Sequence, residues 1–325
     1  MASARRVGTN ESISTYAASG ADYSDLATWE AATDNDNVTG TVSPVLECAE
    51  GQYDDVLAMN AATNNATYFR IVRPNSSSFH TGVRDTGVRF YSTADGNCVN
   101  LADTNDQLQD VCLRVTNNSA TARSAGVCNG ASTDAAYVGV IATNSQNAGT
   151  GSNFGLNQLA AATNRNFYID CLSENNEGTQ FIISDTASLA PIYYNCTAIG
   201  GVLGFNFQTN ATTTAINCLA HGTSTADFFG TLDAGSNNAS EDATALGTSP
   251  RTSQTFTFRN AAVFDYHLQT RDAGARSFGT PMDADATYPF DDDIDRQRWT
   301  IPWNIGFDSI SQPPSPTIAL TGAGL

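Results

Sequence analysis

The sequence predicts an all-β solenoid, a parallel β-helix, and three observations carry that expectation. First, three short stretches read almost the same: Tyr168-Ile169-Asp170-Cys171-Leu172-Ser173, Tyr193-Tyr194-Asn195-Cys196-Thr197-Ala198 and Ala215-Ile216-Asn217-Cys218-Leu219-Ala220. Their cysteines recur at intervals of 25 and then 22 residues, the scale at which each repeat is one turn of a continuous stack. Second, from about Thr41 onward short strand-like runs follow one another, mostly ended by Asn, Asp, Gly, Ser or Thr, with almost no helical periodicity. Third, only 15% of the 325 residues are charged, against ~25% in an ordinary soluble domain. Small polar turn formers fill the difference, which suits many short strands.

Taken in order, residues 1–20 are small and polar with one basic pair, Arg5-Arg6, and read as a flexible or docking arm or an ordinary loose terminus. Next, Ser24 is placed to cap a helix with Asp25 in its first turn. Leu26, Trp29 and Ala32 would then share one face, and such a helix would plug the open end of a solenoid. The strand-like runs between Thr41 and Phe258 supply the coils of one domain, residues 21–310. Between Gly126 and Thr163 the pattern weakens, which predicts a longer loop thrown out from one coil. The repeated Asp/Asn-Cys step reads as scaffold. Asp170, Asn195 and Asn217 turn corners and form a hydrogen-bonded ladder; Cys171, Cys196 and Cys218 fill a buried column rather than pair as disulfides. The competing reading of Asp170 is catalytic. Cys48, Cys98, Cys112 and Cys128 show no CxxC spacing, which argues against zinc held by cysteine.

The two ends carry a resemblance. Asp22-Tyr23-Ser24-Asp25-Leu26-Ala27-Thr28-Trp29-Glu30 resembles the DY-x-x-L-x-x-W-E opening of right-handed parallel β-helix proteins of phage and environmental origin. Asp265-Tyr266-His267-Leu268 resembles the DYHL strand that closes such helices. Asp293-Ile294-Asp295-Arg296-Gln297-Arg298 and Asn304-Ile305-Gly306-Phe307-Asp308 stand where the family has D-x-D-x-x-R and D-I-G-A-D-E. The departures are the glycine missing after Asp295, Asn304 for an acid and Phe307 for a small residue. The resemblance covers roughly residues 20–310. It implies a right-handed parallel β-helix with an N-terminal capping helix, and a virion surface protein of the phage or archaeal-virus type.

Charge narrows the function. The net charge is −18, and all 15 basic residues are arginine. An acidic, lysine-free surface suits high salt, where screening removes self-repulsion; the plainer alternative is an acidic extracellular or virion protein. Nucleic-acid binding would need a basic face. No apolar run reaches the ~18 residues of a membrane helix, and the N-terminus lacks the apolar core of a secretory signal.

For a polysaccharide hydrolase, which needs two carboxylates about the scissile bond, the candidates are Glu174, Glu177 and Asp185. β-Helix pectinases often carry Gly-His-Gly and Asp-Asp elements, and here His221-Gly222 is followed by Thr223 with no matching Asp-Asp. Lyases of this fold use Lys or Arg, and lysine is absent. Asp291, Asp293 and Asp295 could hold a hard cation such as Ca²⁺, the one cofactor candidate; Arg296 and Arg298 could instead neutralise them. Trp299 and Trp303, with Tyr288 and Phe290, are expected to close the C-terminal end of the solenoid or to anchor a partner. Pro313 and Pro314 begin a Pro-rich extended tail, residues 311–325, whose apolar end includes Leu320 and Leu325 and suits strand addition to a neighbour. The expected function is therefore a non-enzymatic virion structural protein, a capsid decoration, turret, spike or tail fibre. It would sit on the virion surface, be extracellular after lysis, and contact other virion proteins and host surface glycan. It would form a trimer or another ring. The alternatives are a β-helix polysaccharide hydrolase or depolymerase, and a secreted adhesin.

Overall fold

The computed structural model describes residues 3–93, 96–116, 123–128, 133–143, 153–158, 165–183, 190–208 and 212–309. Three parallel sheets of nine, eight and seven strands run the length of a right-handed β-helix. Each complete coil contributes one strand to each sheet. The coil containing the first repeat places Phe167–Ile169 in sheet I, Leu172–Glu174 in sheet II and Thr179–Ile183 in sheet III. The next places Ile192–Tyr194, Thr197–Ile199 and Leu203–Asn206 in the same order.

In six successive coils the step between sheets I and II is a sharp corner made by one left-handed residue. Asp110, Asp170, Asn195, Asn217 and Asn237 hold φ between 51° and 58°, and Gly139 holds 61° in the same column. Asn and Asp tolerate this region because their short side chains bond locally. Strand alternation then points one set of residues inward. Tyr137, Tyr168 and Tyr193 stack in register with ring centroids 5.5 and 4.9 Å apart. Phe181, Phe205 and Phe228 do the same in sheet III at 4.7 and 4.9 Å. Each such pair contributes ~0.5–1.5 kcal/mol beyond its buried area. All seven cysteines are free and buried. Cys171, Cys196 and Cys218 form the expected column, their thiols donating to the carbonyls of Tyr137, Tyr168 and Tyr193 at 3.4, 3.2 and 3.5 Å.

The helix Leu26–Thr33 closes the N-terminal end, with Leu26 and Trp29 buried in the main core. Its cap is Asp25, which accepts from Thr28 N–H, so it starts one residue later than expected, and Ala32 is exposed. Among the described residues no helix is long and apolar enough to cross a membrane.

Three expectations about organisation need correction. The segment read as an arm is part of the fold: Glu11–Tyr16 is the first strand of sheet I, paired with Ser43–Cys48. Ala4 and Arg5 are buried. The stretch read as a long loop contains one complete coil, Ala136–Val138, Ile141–Thr143 and Asn153–Gln158. The aromatic cap lies along the flank of the rod rather than over its last coil. Residues 254–309 form a strap laid on the outer faces of sheets I and II. Tyr288, Phe290, Trp299 and Trp303 cover Phe167, Ile169, Ile192 and Tyr194 of sheet I. Tyr266, Leu268, Ile305 and Phe307 cover Ile141, Leu172, Ile199 and Leu219 of sheet II. The Pro-rich tail, with Pro313, Pro314, Leu320 and Leu325, lies outside the described residues.

One knot ties both ends of the chain to the corner. Arg5 Nε donates to both oxygens of Asp110 at 2.9 Å, and Arg296 Nε reaches the same carboxylate at 3.1 Å. Gly139 makes the room, since a Cβ there would fall 2.6 Å from the Arg5 guanidinium. Burial opposes charge on Asp110, but the two guanidiniums outweigh it and hold the carboxyl below its ordinary range. Replacing Arg5 with Ala strips the buried carboxylate of its main partner. It is expected to cost about 3 kcal/mol, read as a lowered urea midpoint at unchanged slope.

Candidate functional site

The structure disperses the candidate catalytic acids. Glu174 ends a strand of sheet II, buried beneath the strap. Its carboxylate accepts from Thr143 Oγ1 at 3.0 Å and from Asn175 Nδ2 at 2.9 Å, and lies 3.5 Å from Arg84 Nε. Burial outweighs Arg84 and these bonds and pushes the group up to about 7. Glu177 is exposed and accepts from Asn153. Asp185 lies outside the described residues.

The corner column is scaffold, as expected of Asn195 and Asn217. Asn217 Nδ2 donates to Asn195 Oδ1 at 2.9 Å and to Thr280 O at 2.8 Å, and its Oδ1 accepts from Thr280 N–H at 2.8 Å. Asp170 occupies the next rung, fully buried, with neither oxygen in a hydrogen bond. Burial holds its carboxyl well above the carboxylate range, and Asp292 and Asp293 add to this against the pull of Arg5.

The expected Ca²⁺ trio does not converge. Its members alternate along an extended and then turning chain, so they face different ways. Asp291 pairs with Arg298 at 3.1 Å. Asp293 turns inward and accepts from the N–H groups of Asp295, Gln297 and Ser309 at 3.0, 2.7 and 3.0 Å. Its burial raises it to about 7. Asp295 points instead to His267, with Oδ2 3.0 Å from Nε2. Trp299 and Trp303, expected as partner anchors, stack on each other at 4.9 Å and are 4% and 2% exposed, covered by their own chain.

What sequence reasoning missed is a convergence. Asp265 and His267 of the DYHL strand, Asp295 and Asp308 come from the three motif strings at the C-terminal end and meet beside a cleft of about 250 Å³. The imidazole contacts Asp265 Oδ1 through Nδ1 at 2.5 Å. Burial works against its charge, but the nearby carboxylates of Asp295, Asp308 and Asp265 prevail and raise it to about 9. Asp308, through burial, is pushed up to about 6.

A second cleft, about 420 Å³, opens on the outer face of sheet II, over its first coils at the margin of the strap, which reaches Tyr91 and Cys112. Strands Gly51–Tyr53, Val88–Ser92 and Val111–Val115 supply its floor. Gln52, Arg89, Tyr91 and Arg114 line it, with Asp54 and Asp85 at its edges. The pleat explains the set, since Arg89 and Tyr91 are two apart on one strand and Tyr91 pairs with Arg114 on the next. Arg114 lies over the Tyr91 ring at 5.6 Å, and its buried Nε has no hydrogen-bond partner. Arg89 bonds only backbone carbonyls, those of Gly51 and Asp85. Among the described residues neither guanidinium forms an ion pair, whereas Arg5, Arg70, Arg73, Arg84 and Arg296 all do.

No family model matches the chain, and no curated protein matches it. Among solved structures the chain is similar to one described as "Crystal structure of pectate lyase Pel9A", with a TM-score of 0.53 and 11% sequence identity, over 93% of this chain and 97% of that one. The likeness is one of fold, the parallel β-helix.

The buried acids set a pH dependence. Asp170, Glu174, Asp293 and Asp308 have folded values raised above the ordinary ~4 of an unfolded chain. The folded state therefore keeps protons that the unfolded chain has released, and stability falls as pH climbs from about 4 to 7. His267, raised from 6.5 to about 9, contributes fully below 6.5 and loses its contribution between these values. Both effects have the same sign, so the melting temperature is expected to be higher at pH 5 than at pH 8. Asp170→Asn should stabilise the protein at pH 8, with a smaller gain at pH 5. Calorimetry across this range checks both.

Proposed function

We propose that this chain is a non-enzymatic rod that presents a saccharide-binding cleft on its flank, as a surface protein of a virus particle. The observation that carries the reading is the sheet II cleft. An aromatic ring, two arginines without carboxylate partners and two acids border one concave surface large enough for a sugar unit. Tyrosine and arginine are side chains that anchor binding surfaces, and hydroxyl-rich ligands need donors and acceptors of both kinds close together. A β-helix suits display, because each coil is braced by its neighbours and the strap adds a second layer. The acidic, lysine-free composition fits an exterior exposed to brine. Titration with fragments of host surface glycan is expected to saturate at one site and to weaken at least tenfold in Arg114→Ala and Arg89→Ala. Mass spectrometry of purified particles should find the polypeptide. Particles that lack it would point to a secreted adhesin.

One observation favours a second reading, a polysaccharide-cleaving enzyme. Glu174 is held near 7, the range of a general acid at neutral pH. New reducing ends released from glycan by the wild type and lost in Glu174→Gln would replace the non-enzymatic reading with this one.

A further inference from the structure

The cluster at the strap carries an assignment beyond saccharide contact. His267 is 2% exposed and buried within the protein, and its two ring nitrogens are treated differently. Nδ1 is bonded to Asp265. With that proton given to a carboxylate, Nε2 is left with its lone pair, the arrangement by which proteins orient a histidine ligand. Nε2 has no hydrogen-bond partner, although Asp295 Oδ2 is 3.0 Å away, because the two are not aligned for one. Asp295 Oδ1 is likewise buried without a partner. Asp308 supplies a third ligand atom, and the three lie within 4.8 Å of one another.

The opposite wall is a glycine. Gly82 has φ +65°, and a Cβ built there would lie 2.4 Å from His267 Nε2 and 2.9 Å from Asp295 Oδ1. Gly82 carries no side chain, so the approach to the unpartnered nitrogen and oxygen stays open, at the end of the cleft lined by Arg259, Gln297 and Ser309.

We propose that His267, Asp295 and Asp308 bind a divalent transition-metal ion, with Asp265 orienting the histidine. One imidazole nitrogen with two carboxylates suits Zn²⁺ or a similar ion, whereas Ca²⁺ prefers six or more oxygens. The ion takes the place of the Nε2 proton and joins three parts of the strap: the strand Asp265–Leu268, the turn at Asp295 and the end at Asp308. Its role is to hold the strap folded upon itself.

The test uses the full chain stripped with EDTA and titrated with ZnCl₂ in a calorimeter. One Zn²⁺ per chain is expected, with a raised melting temperature, and no response to millimolar CaCl₂. His267→Gln should abolish binding, Gly82→Ala should block it by filling the space, and Asp265→Asn should weaken it about 10–100-fold. Anomalous diffraction at the zinc edge on wild-type crystals locates the ion without relying on any variant. A peak on His267 Nε2 supports the assignment. No stoichiometric binding, a peak elsewhere, or binding retained in folded His267→Gln overturns it.

Discussion

The corner between sheets I and II is the constraint on which the rest of this molecule depends. Each of the six coils from Asp110 to Asn237 must turn there within one or two residues, and in each a left-handed residue makes the turn. Asn, Asp and Gly satisfy that requirement, so the column from Asp110 to Asn237 is dictated by backbone geometry before any question of chemistry. A column of short polar side chains in a buried place must then be satisfied. Asn195 and Asn217 satisfy it partly within the column, and Thr280 and Gly306 of the strap complete it at Asn217, while Asn195 Nδ2 stays unpartnered. Asp110 recruits Arg5 and Arg296. His80 Nε2 reaches the carbonyl of Gly139 at 2.6 Å. The strap and the N-terminus therefore dock where the corner leaves polar groups to be paired, and their apolar residues then cover the flanking strands. Asp170 is the rung that this logic leaves unfinished.

The same geometry explains how a chain of net charge −18 keeps a core. Arginine stays ionised when buried and presents several donors in a fixed plane, which a lysine does not. Arg70, with no exposed surface, lies between Glu30, Asp103 and Asp106 at the helical cap. Arg73 joins Glu11 and Glu47 across three strands of sheet I. These arginines thus act as cross-links between coils, each holding two or three carboxylates. Arg89 and Arg114, on adjacent strands of sheet II, hold none among the described residues.

The sequence made the solenoid legible through Cys171, Cys196 and Cys218, because these coils keep both the Asn or Asp at the corner and the thiol behind it. The preceding coil was hidden. There Gly139 and Val140 occupy the corner, and the interval to the next corner widens to 31 residues, from Gly139 to Asp170. Glycine serves the turn as well as Asn but carries no polar signal, and Val140 fills the column as well as Cys. The strap was legible as three motif strings and illegible as a site. Asp295 and Asp308 join His267 through folding of the strap upon itself, which no spacing rule encodes. The run Asp291-Asp292-Asp293 invited a cation reading because charge density is visible in one dimension, whereas the turn that points Asp293 inward and Asp295 toward His267 is not.

The strap also decides where a ligand can reach the rod. A β-helix offers three long faces, all built from the same short strands, and the fold alone favours none of them. Here sheet I and the later coils of sheet II are covered by residues of the strap. The outer face of sheet II over Gly51–Tyr53, Val88–Ser92 and Val111–Val115 lies beyond most of that cover, and the unpaired arginines are there. Glu174 shows the opposite case. Its side chain points outward from the same sheet, four coils further along from Gln52, yet Arg84 and Tyr266 close over it. Two polar residues of one face are thus separated into a recognition surface and a buried acid by the path of a single segment. Loosening that segment, at its clasp or at the Asp110 knot, is the one change that would bring both to solvent together.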